Sequence, residues 1–218
     1  MKKNVSLVVV LLSLLSFSIK GNAQIYAANL HPDTDFGIKV GGNFSQLAAL
    51  PFSPSYNSGF LGGLYGGKSW KKVGLHVEAL VNNATYTTEH PVAYGRFYER
   101  GADTTSKGKF NALYLSIPVL AEIKLKKRWY FEIGPQYNYM LSFKDNNGVY
   151  TKENGNDKIL KNGELCLDLG LKANLPYGFN LGIRYVTGLT DINKNTYYRA
   201  YDSWHVNALQ IILGIRIM

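Results

Sequence analysis

The chain has 218 residues, a formal net charge of +9 and a mean hydropathy of −0.12, which excludes a bundle of apolar membrane helices. Its 22 glycines, 16 tyrosines and 13% aromatic residues are typical of a β-rich protein and unlike an ordinary helical enzyme. The length fits a single domain. The one cysteine, Cys166, excludes an internal disulfide, and we expect it to be a buried thiol within a strand.

The first 23 residues have the pattern of a secretory signal peptide. Two lysines precede an apolar run from Val5 to Phe17, which is short for a membrane anchor, and cleavage after Ala23 fits the small residues there. We predict a signal peptide over residues 1–23, a periplasmic segment over 24–34 and the folded domain over 35–218. Without the signal peptide the charge is +6, because that segment carries three lysines and no acidic residue.

Eight segments alternate between apolar and polar residues with the period of two that β-strands show. The clearest is WYFEIGPQYNYMLSF, residues 129–143, whose odd positions are all apolar or aromatic and whose even positions are mostly polar or small. This run is much longer than the usual strand of about five or six residues. In chain order the predicted strands cover residues 35–45, 58–70, 73–83, 112–125, 129–143, 164–174, 178–190 and 207–218.

The connections between these segments alternate in length. The tight turns cover residues 68–72, 126–128 and 174–178, and the long polar connections cover 46–57, 84–109, 144–163 and 191–205. Short periplasmic turns and long external loops are the plan of an outer-membrane barrel, in which the sheet closes so that every backbone group is paired in lipid. We therefore predict an all-β fold, an eight-stranded antiparallel up-and-down transmembrane β-barrel with short periplasmic turns and long extracellular loops.

Two prolines, Pro118 and Pro135, lie within predicted strands. Each removes a donor from the ladder of backbone hydrogen bonds, and a closed barrel has no edge strand to receive them. We expect bulges or local distortions at both positions.

The polar faces of the predicted strands carry charges of both signs. An eight-stranded barrel has room inside only for side chains, and buried charges persist when they are paired. We expect an interior ion-pair network and no open channel. Its predicted members are Lys39, His76, Glu78, Glu122, Lys124, Glu132, Glu164, Asp168, Lys172, Arg184 and Arg216.

Two of the long connections are rich in aromatic residues and arginine, as protein interfaces are. They predict contacts with an external partner, and a solvated loop is an equal alternative. The predicted contact residues are Tyr94, Arg96, Phe97, Tyr98, Arg100, Tyr197, Tyr198, Arg199, Tyr201 and Trp204.

No catalytic site is predicted. Ser203 and His205 lie two residues apart, with Asp202 beside them, but nothing fixes the hydrogen bonds that a nucleophile and its base need. No spacing typical of a metal site is present, and we expect no cofactor. The competing fold is a soluble lipocalin-like barrel with its apolar face inward. Apolar faces nearly free of charge, opposite charges on the polar face and the alternating loop lengths favour the membrane barrel.

The segments GIKVGGNFS, YLSIPVLAEIKL, FEIGPQYNYMLS and IRYVTGLTDI resemble, in this order, the PorT-like outer-membrane β-barrel family of the Bacteroidota. The resemblance covers Asp35 to Met218, and Tyr-Leu-x-Ile-Pro and Gly-Pro-Gln are its most specific elements. It implies residence in the outer membrane and, as one hypothesis, an accessory role in protein secretion.

Three functions are thus carried forward: a structural or partner-binding barrel acting through its external loops, the secretion accessory, and a narrow pore, against which a packed interior argues. The expected partners are outer-membrane lipid, lipopolysaccharide with its phosphates, the barrel-insertion machinery and an envelope or secretion protein. Nucleic acid is a poor partner for an exported chain without a basic cluster.

Overall fold

The computed structural model describes residues 34–48, 53–87, 108–146, 160–193 and 203–217. Within them, antiparallel strands follow one another in chain order and close into a barrel, because the first strand also pairs with the last. This confirms the predicted fold class. The strands are β1 (Thr34–Ala48), β2 (Asn57–Trp70), β3 (Val73–Thr87), β4 (Lys109–Lys124), β5 (Trp129–Asp145), β6 (Gly163–Asn174), β7 (Phe179–Gly188) and β8 (His205–Arg216).

The predicted signal peptide lies outside the described residues, and so does all of the expected periplasmic segment except Thr34, which begins β1. No helix among the described residues has the length and apolar character needed to cross a membrane.

The three short connections lie at one end of the barrel, as predicted. Residues 71–72 join β2 to β3, residues 125–128 join β4 to β5, and the 3-10 turn Pro176–Gly178 precedes β7. In that turn Tyr177 has φ 62° and Gly178 has φ 81°, so both are left-handed. Two successive left-handed residues match the twist of a tight hairpin, and glycine adopts this conformation without steric cost.

Apart from Lys68 on β2, the outward face around the short-turn end and the middle of the barrel is apolar. On β3 the side chains of Val73, Leu75 and Val77 are exposed, while His76 and Glu78 between them are buried inside. Because most of the strands repeat this alternation, the barrel has an apolar outer band that fits lipid and a largely polar interior, in which Leu61, Leu80 and Ile212 form a small apolar cluster.

The polarity of the two faces inverts toward the long-loop end. On β3, Tyr86 faces inward and is 1% exposed, while the outward Thr85 donates a hydrogen bond to Asn111 Oδ1 on β4 at 2.9 Å. A matching outward pair joins Thr187 on β7 to Asn207 on β8, also at 2.9 Å. The barrel wall therefore continues beyond the apolar band into a part with a polar exterior.

That part of the barrel is filled by one cluster of buried apolar side chains, which we call the apolar plug. Its members are Leu47, Ala84, Tyr86, Phe110, Ala112, Tyr114, Met140, Leu160, Ile192, Trp204 and Val206. The strands extend past their predicted ends to build it, since β3 reaches Thr87 and β5 reaches Asp145.

Both strand prolines interrupt their ladders without shifting the register. The pairs of β3 with β4 pass from Val77↔Val119 to Leu80↔Ser116, and those of β4 with β5 pass over Pro135 at an unchanged offset. The expected local distortions are thus present, but neither proline is bulged.

The one register shift of the β4–β5 ladder lies elsewhere, where Leu141 is the extra residue between the partners of Leu113 and Tyr114. It reverses the facing of the residues that follow. Phe143, which the alternation placed on the outward face, packs against the plug and stacks on Phe110 with ring centroids 5.7 Å apart. The outward placement was wrong because a bulge inserts one residue into a period of two.

Candidate functional site

The interior of the apolar band holds a group of buried ionisable side chains, which we call the charged layer. They come from strands β1, β3, β4, β5, β6 and β7, and each is at most 4% exposed. The members are Lys39, His76, Glu78, Glu122, Glu132, Asp168, Lys172 and Arg184.

Arg184 is the centre of the charged layer. Its Nη1 and Nη2 donate to Glu78 Oε2 and Oε1 at 3.0 and 2.9 Å, which is a bidentate pair, and Nη2 also donates to Glu132 Oε2 at 3.2 Å. Asp168 Oδ2 lies 3.7 Å from Nη1. Arg184 is on β7 and Glu78 on β3, which are opposite walls of an eight-stranded ring. The guanidinium therefore bridges the lumen.

Two lysines complete the pairing of the carboxylates. Lys39 Nζ lies 2.5 Å from Glu78 Oε1, and Lys172 pairs with Glu122. His76 Nε2 lies 3.2 Å from Glu122 Oε2. Three cationic side chains thus face four carboxyl groups, and one proton held by the layer makes it neutral.

Glycines on neighbouring strands provide the space for these large side chains. A Cβ atom at Gly67 would lie 2.6 Å from Cγ of His76, and one at Gly170 would lie 3.2 Å from Oε2 of Glu132. The many glycines of this chain are therefore partly explained by the size of the inward polar groups that they face.

Glu164 is buried but lies apart from the charged layer. It accepts hydrogen bonds from the Asn138 side chain and from the backbone N–H of Val206, both at 3.2 Å. Asn138 also contacts Sγ of Cys166 at 3.3 Å, and Cys166 is buried and free. The sequence placed Glu164 inside correctly, but amide donors rather than cations satisfy it.

Lys124 and Arg216 were expected in the interior network, and the structure corrects both placements. Lys124 is the last residue of β4 and is exposed. Arg216 is the last residue of β8, and its half-exposed side chain donates to Asp35 Oδ1 at 3.0 Å. The alternation continues to the ends of these strands, but at the rim there is no opposite wall to enclose the side chain.

Trp204 was expected to contact a partner from an external loop, and this too is corrected, because it is 4% exposed and belongs to the plug. Its backbone N–H donates to Asp191 Oδ1 at 3.0 Å, and the N–H of Asn193 donates to the same oxygen at 2.9 Å. Lys161 Nζ lies 3.4 Å from the other carboxylate oxygen. The other predicted loop contacts lie outside the described residues.

These contacts set the charge state of Asp191 at the mouth of the barrel. Partial burial raises its pKa, but the donors from Trp204 and Asn193, with Lys161, outweigh it and hold the pKa below its ordinary value of 3.8. The carboxylate thereby ties together three backbone segments that the sequence had assigned to loops.

The Ser203 and His205 side chains show no arrangement for catalysis. Ser203 is exposed, His205 is partly buried, and no hydrogen bond joins the two within the described part of the chain. Asp202 lies outside that part. Among the described residues no group of three or more His, Cys, Asp or Glu side chains could hold a metal ion.

A family model described as outer membrane protein beta-barrel domain matches residues 22–194. The chain belongs to this family. Membership in the outer membrane β-barrel family accords with the closed barrel and its apolar band, and it places the protein in the outer membrane. No curated protein matches the sequence.

Several solved structures are similar in fold to this outer membrane β-barrel. Neisserial surface protein A aligns over 84% of this chain and 97% of its own, with 9% identity and a TM-score of 0.49. Ail of Yersinia pestis aligns over 85% of this chain and 99% of its own, with 15% identity and a TM-score of 0.48. OprG of Pseudomonas aeruginosa aligns over 85% of this chain and 95% of its own, with 13% identity and a TM-score of 0.45.

The apolar plug is the main feature that the sequence reasoning missed. A signal for it is present in ATYT, residues 84–87, where the inward positions become apolar and the outward positions become threonines. The alternation itself continues without a break, so it is the exchange of polarity between the faces that marks the change of environment.

Proposed function

We propose that this outer-membrane barrel has a closed interior and acts without catalysis, as a platform that presents its external segments to a partner. The observation that carries the proposal is the Arg184 side chain, which reaches from β7 to Glu78 on the opposite wall. A lumen crossed by a buried bidentate ion pair leaves no continuous path for a hydrated solute.

Single-channel recording of the folded protein in a planar bilayer tests the closed interior. Heat-modifiable gel mobility first establishes that the barrel is folded. We expect no conductance from the wild type, and none from the charge-balanced variant Glu78→Ala/Arg184→Ala, because the apolar plug still fills the long-loop end of the barrel. Steady conductance of the wild type would overturn the proposal and make the protein a small pore.

The platform role is supported by the part of the barrel beyond the apolar band. Its polar outer wall, with the Thr85–Asn111 and Thr187–Asn207 pairs, meets water, and the plug inside gives it a packed core. Such a wall holds the ends of the loops at fixed positions outside the membrane, where binding residues are commonly found.

Replacement of residues 88–107 and 194–202 by short Gly-Ser linkers tests this role. We expect the loop-replaced barrel to fold, as shown by heat-modifiable gel mobility. We also expect it to lose the partner that cross-links to the wild-type protein, and cells that carry it to show the envelope defects of a deletion strain. A loop-replaced protein that supports every phenotype of the wild type would contradict partner binding through these loops.

The motifs that resemble the PorT-like family support the architecture more than the secretion hypothesis. Pro118 of the Ile-Pro element pairs with Gln136 of the Gly-Pro-Gln element across β4 and β5. A Cβ at Gly134 would collide with the backbone of Val119 and lie 3.0 Å from Cα of Leu120. The motifs thus permit a close approach of two strands. An accessory role in secretion stays an alternative, and normal secretion by a deletion strain would exclude it.

A further inference from the structure

The short-turn end of the barrel is strongly basic on one side. On the β2–β3 hairpin, Lys68, Lys71 and Lys72 are all exposed, and no acidic residue occurs over residues 66–77. None of the three forms an ion pair with a described residue. Because two of them lie in a two-residue turn, they stay close to the end of the barrel wall and cannot project far from it.

The neighbouring β4–β5 turn continues this charge. Lys124, Lys126, Lys127 and Arg128 are exposed, and no acidic residue occurs over residues 123–131. The two turns adjoin each other, since the backbone N–H of Lys124 donates to the carbonyl of Lys72 at 2.8 Å. We call the cations of the two turns the basic rim.

Lys68 shows which way the basic rim faces. It is on the outward face of β2, where its partner across the ladder is Leu75 and its outward neighbour along the strand is Trp70. On the described strands it is the one charged residue of the outward face at the short-turn end; Lys109 and Lys144 are outward at the other end. A lysine on the lipid-facing wall near the membrane surface extends its ammonium group to the interface, where anionic headgroups are available as partners.

Two tryptophans place the rim at the lipid headgroups. Trp70 ends β2 and Trp129 begins β5, and their side chains are 51% and 52% exposed on the outward face. Tryptophan prefers the boundary between hydrocarbon and headgroups, where lipid phosphates lie. The cations beside these residues are therefore at the depth of the phosphate groups.

The opposite side of the same end lacks this charge. The β6–β7 turn, Leu175 to Gly178, is uncharged, and Arg216 is compensated by Asp35 at 3.0 Å. The positive field at this end is thus one-sided and centred on β2 to β5.

We propose that the basic rim binds the phosphate groups of anionic phospholipids in the periplasmic leaflet of the outer membrane. The short turns face the periplasm in barrels of this plan, so the rim contacts that leaflet and not the lipopolysaccharide side. A phospholipid is favoured over an acidic protein because the cations border the lipid-facing wall from β2 to β5, at the depth of the tryptophans, on turns too short to reach into the periplasm. The field of several cations attracts anionic lipid to that surface.

The test compares the lipids that contact the folded, purified protein in phosphatidylcholine vesicles holding a trace of spin-labelled phosphatidylglycerol or spin-labelled phosphatidylcholine. The variants are Lys68→Gln/Lys72→Gln and the extended Lys68→Gln/Lys72→Gln/Lys126→Gln/Lys127→Gln. The matched control is Lys109→Gln/Lys144→Gln, which removes two outward lysines from the other end. If the extended variant does not fold, the double variant alone is compared with the wild type and the control.

We expect the wild type and the control to prefer phosphatidylglycerol, and the double variant to lose about fivefold of that preference. The preference should also weaken as salt screens the charges. An unchanged preference in the double variant, or an equal loss in the control, would overturn the proposal.

Two further measurements distinguish lipid phosphate from other anions that the basic rim could bind. Inorganic phosphate at millimolar concentration should not abolish the preference, because a single free ion does not sit in the leaflet beside the cations. Rim-dependent binding of soluble acidic cell-wall fragments by a protein without lipid preference would assign the rim to a periplasmic polymer and overturn the lipid proposal.

Discussion

The charged layer and the apolar plug lie in one barrel and follow one alternation, yet their chemistry is opposite. On β3, Glu78 and Tyr86 both face inward and are both 1% exposed. Around Glu78 the outer wall is apolar, and around Tyr86 it carries threonine and asparagine. The difference shows that the medium outside the wall decides which side chains can fill the inside.

The two regions are therefore stabilised by different forces. Beside lipid, the apolar side chains gain nothing by turning inward, and the interior is held by paired charges whose partners are fixed by register. Beyond the apolar band the exterior is water, so burial of the plug is driven by the hydrophobic effect as in a soluble protein. Substitutions in the two regions should accordingly destabilise the barrel for different physical reasons.

The largest effect is expected in the charged layer. Arg184→Met keeps much of the volume but leaves Glu78, Glu132 and Asp168 without their central cation. We expect a loss of about 4 kcal/mol in the free energy of unfolding, measured by urea titration in lipid vesicles. Glu78→Gln/Arg184→Met should recover part of it, because it reduces by one the excess of carboxylates over cations in the charged layer. A double variant less stable than Arg184→Met would contradict this account.

The plug should behave as an ordinary apolar core. Phe110→Ala leaves a cavity beside Phe143, and we expect a loss of about 3 kcal/mol in the same titration. The matched control is Phe60→Ala on the lipid-facing wall, where Phe60 is 58% exposed. Lipid chains can refill that space, so the control should lose clearly less. Equal losses would mean that the plug is not packed as a core.

The inversion of the outer face can be mapped by lysine substitution along β3. Val77→Lys places a charge in the apolar band and should cost about 2 kcal/mol, whereas Thr87→Lys beyond the band should be nearly neutral. Both positions face outward on the same strand. If Thr87→Lys is as costly as Val77→Lys in vesicle unfolding, the apolar band extends further than the structure indicates.

The smallest effect concerns the mouth and its pH dependence. The pKa of Asp191 is held below its ordinary value, so its stabilising contacts are fully present above about pH 4 and are lost as the pH falls through the lower folded-state pKa. We expect the fluorescence of Trp204 to change on acidification below pH 4, with a Trp204→Phe variant identifying its contribution. Asp191→Asn should remove this transition; its persistence would assign it to another group.

The sequence predicted most of the barrel and only part of the site. The inward placement of Glu78 and Arg184 followed from a period of two that both strands keep without interruption. The facing of Phe143 did not, because the bulge at Leu141 leaves no mark in the polarity of the residues around it. Trp204 was misplaced because its side chain is buried in the plug, whose other members come from distant parts of the chain and leave no local pattern around residue 204.

The amino-acid sequence by itself determined the strand period, the order of short and long connections and the polar interior of the apolar band, because these are local patterns that a closed sheet in lipid requires. Only the tertiary structure decided which charges meet, since Arg184 and Glu78 come together through the closure of the ring and not through proximity in the chain. It also decided that Lys124 and Arg216 remain at the rim and that the interior becomes apolar beyond the band. These outcomes depend on the positions of the opposite wall and of the surrounding medium, and the sequence of a single strand specifies neither.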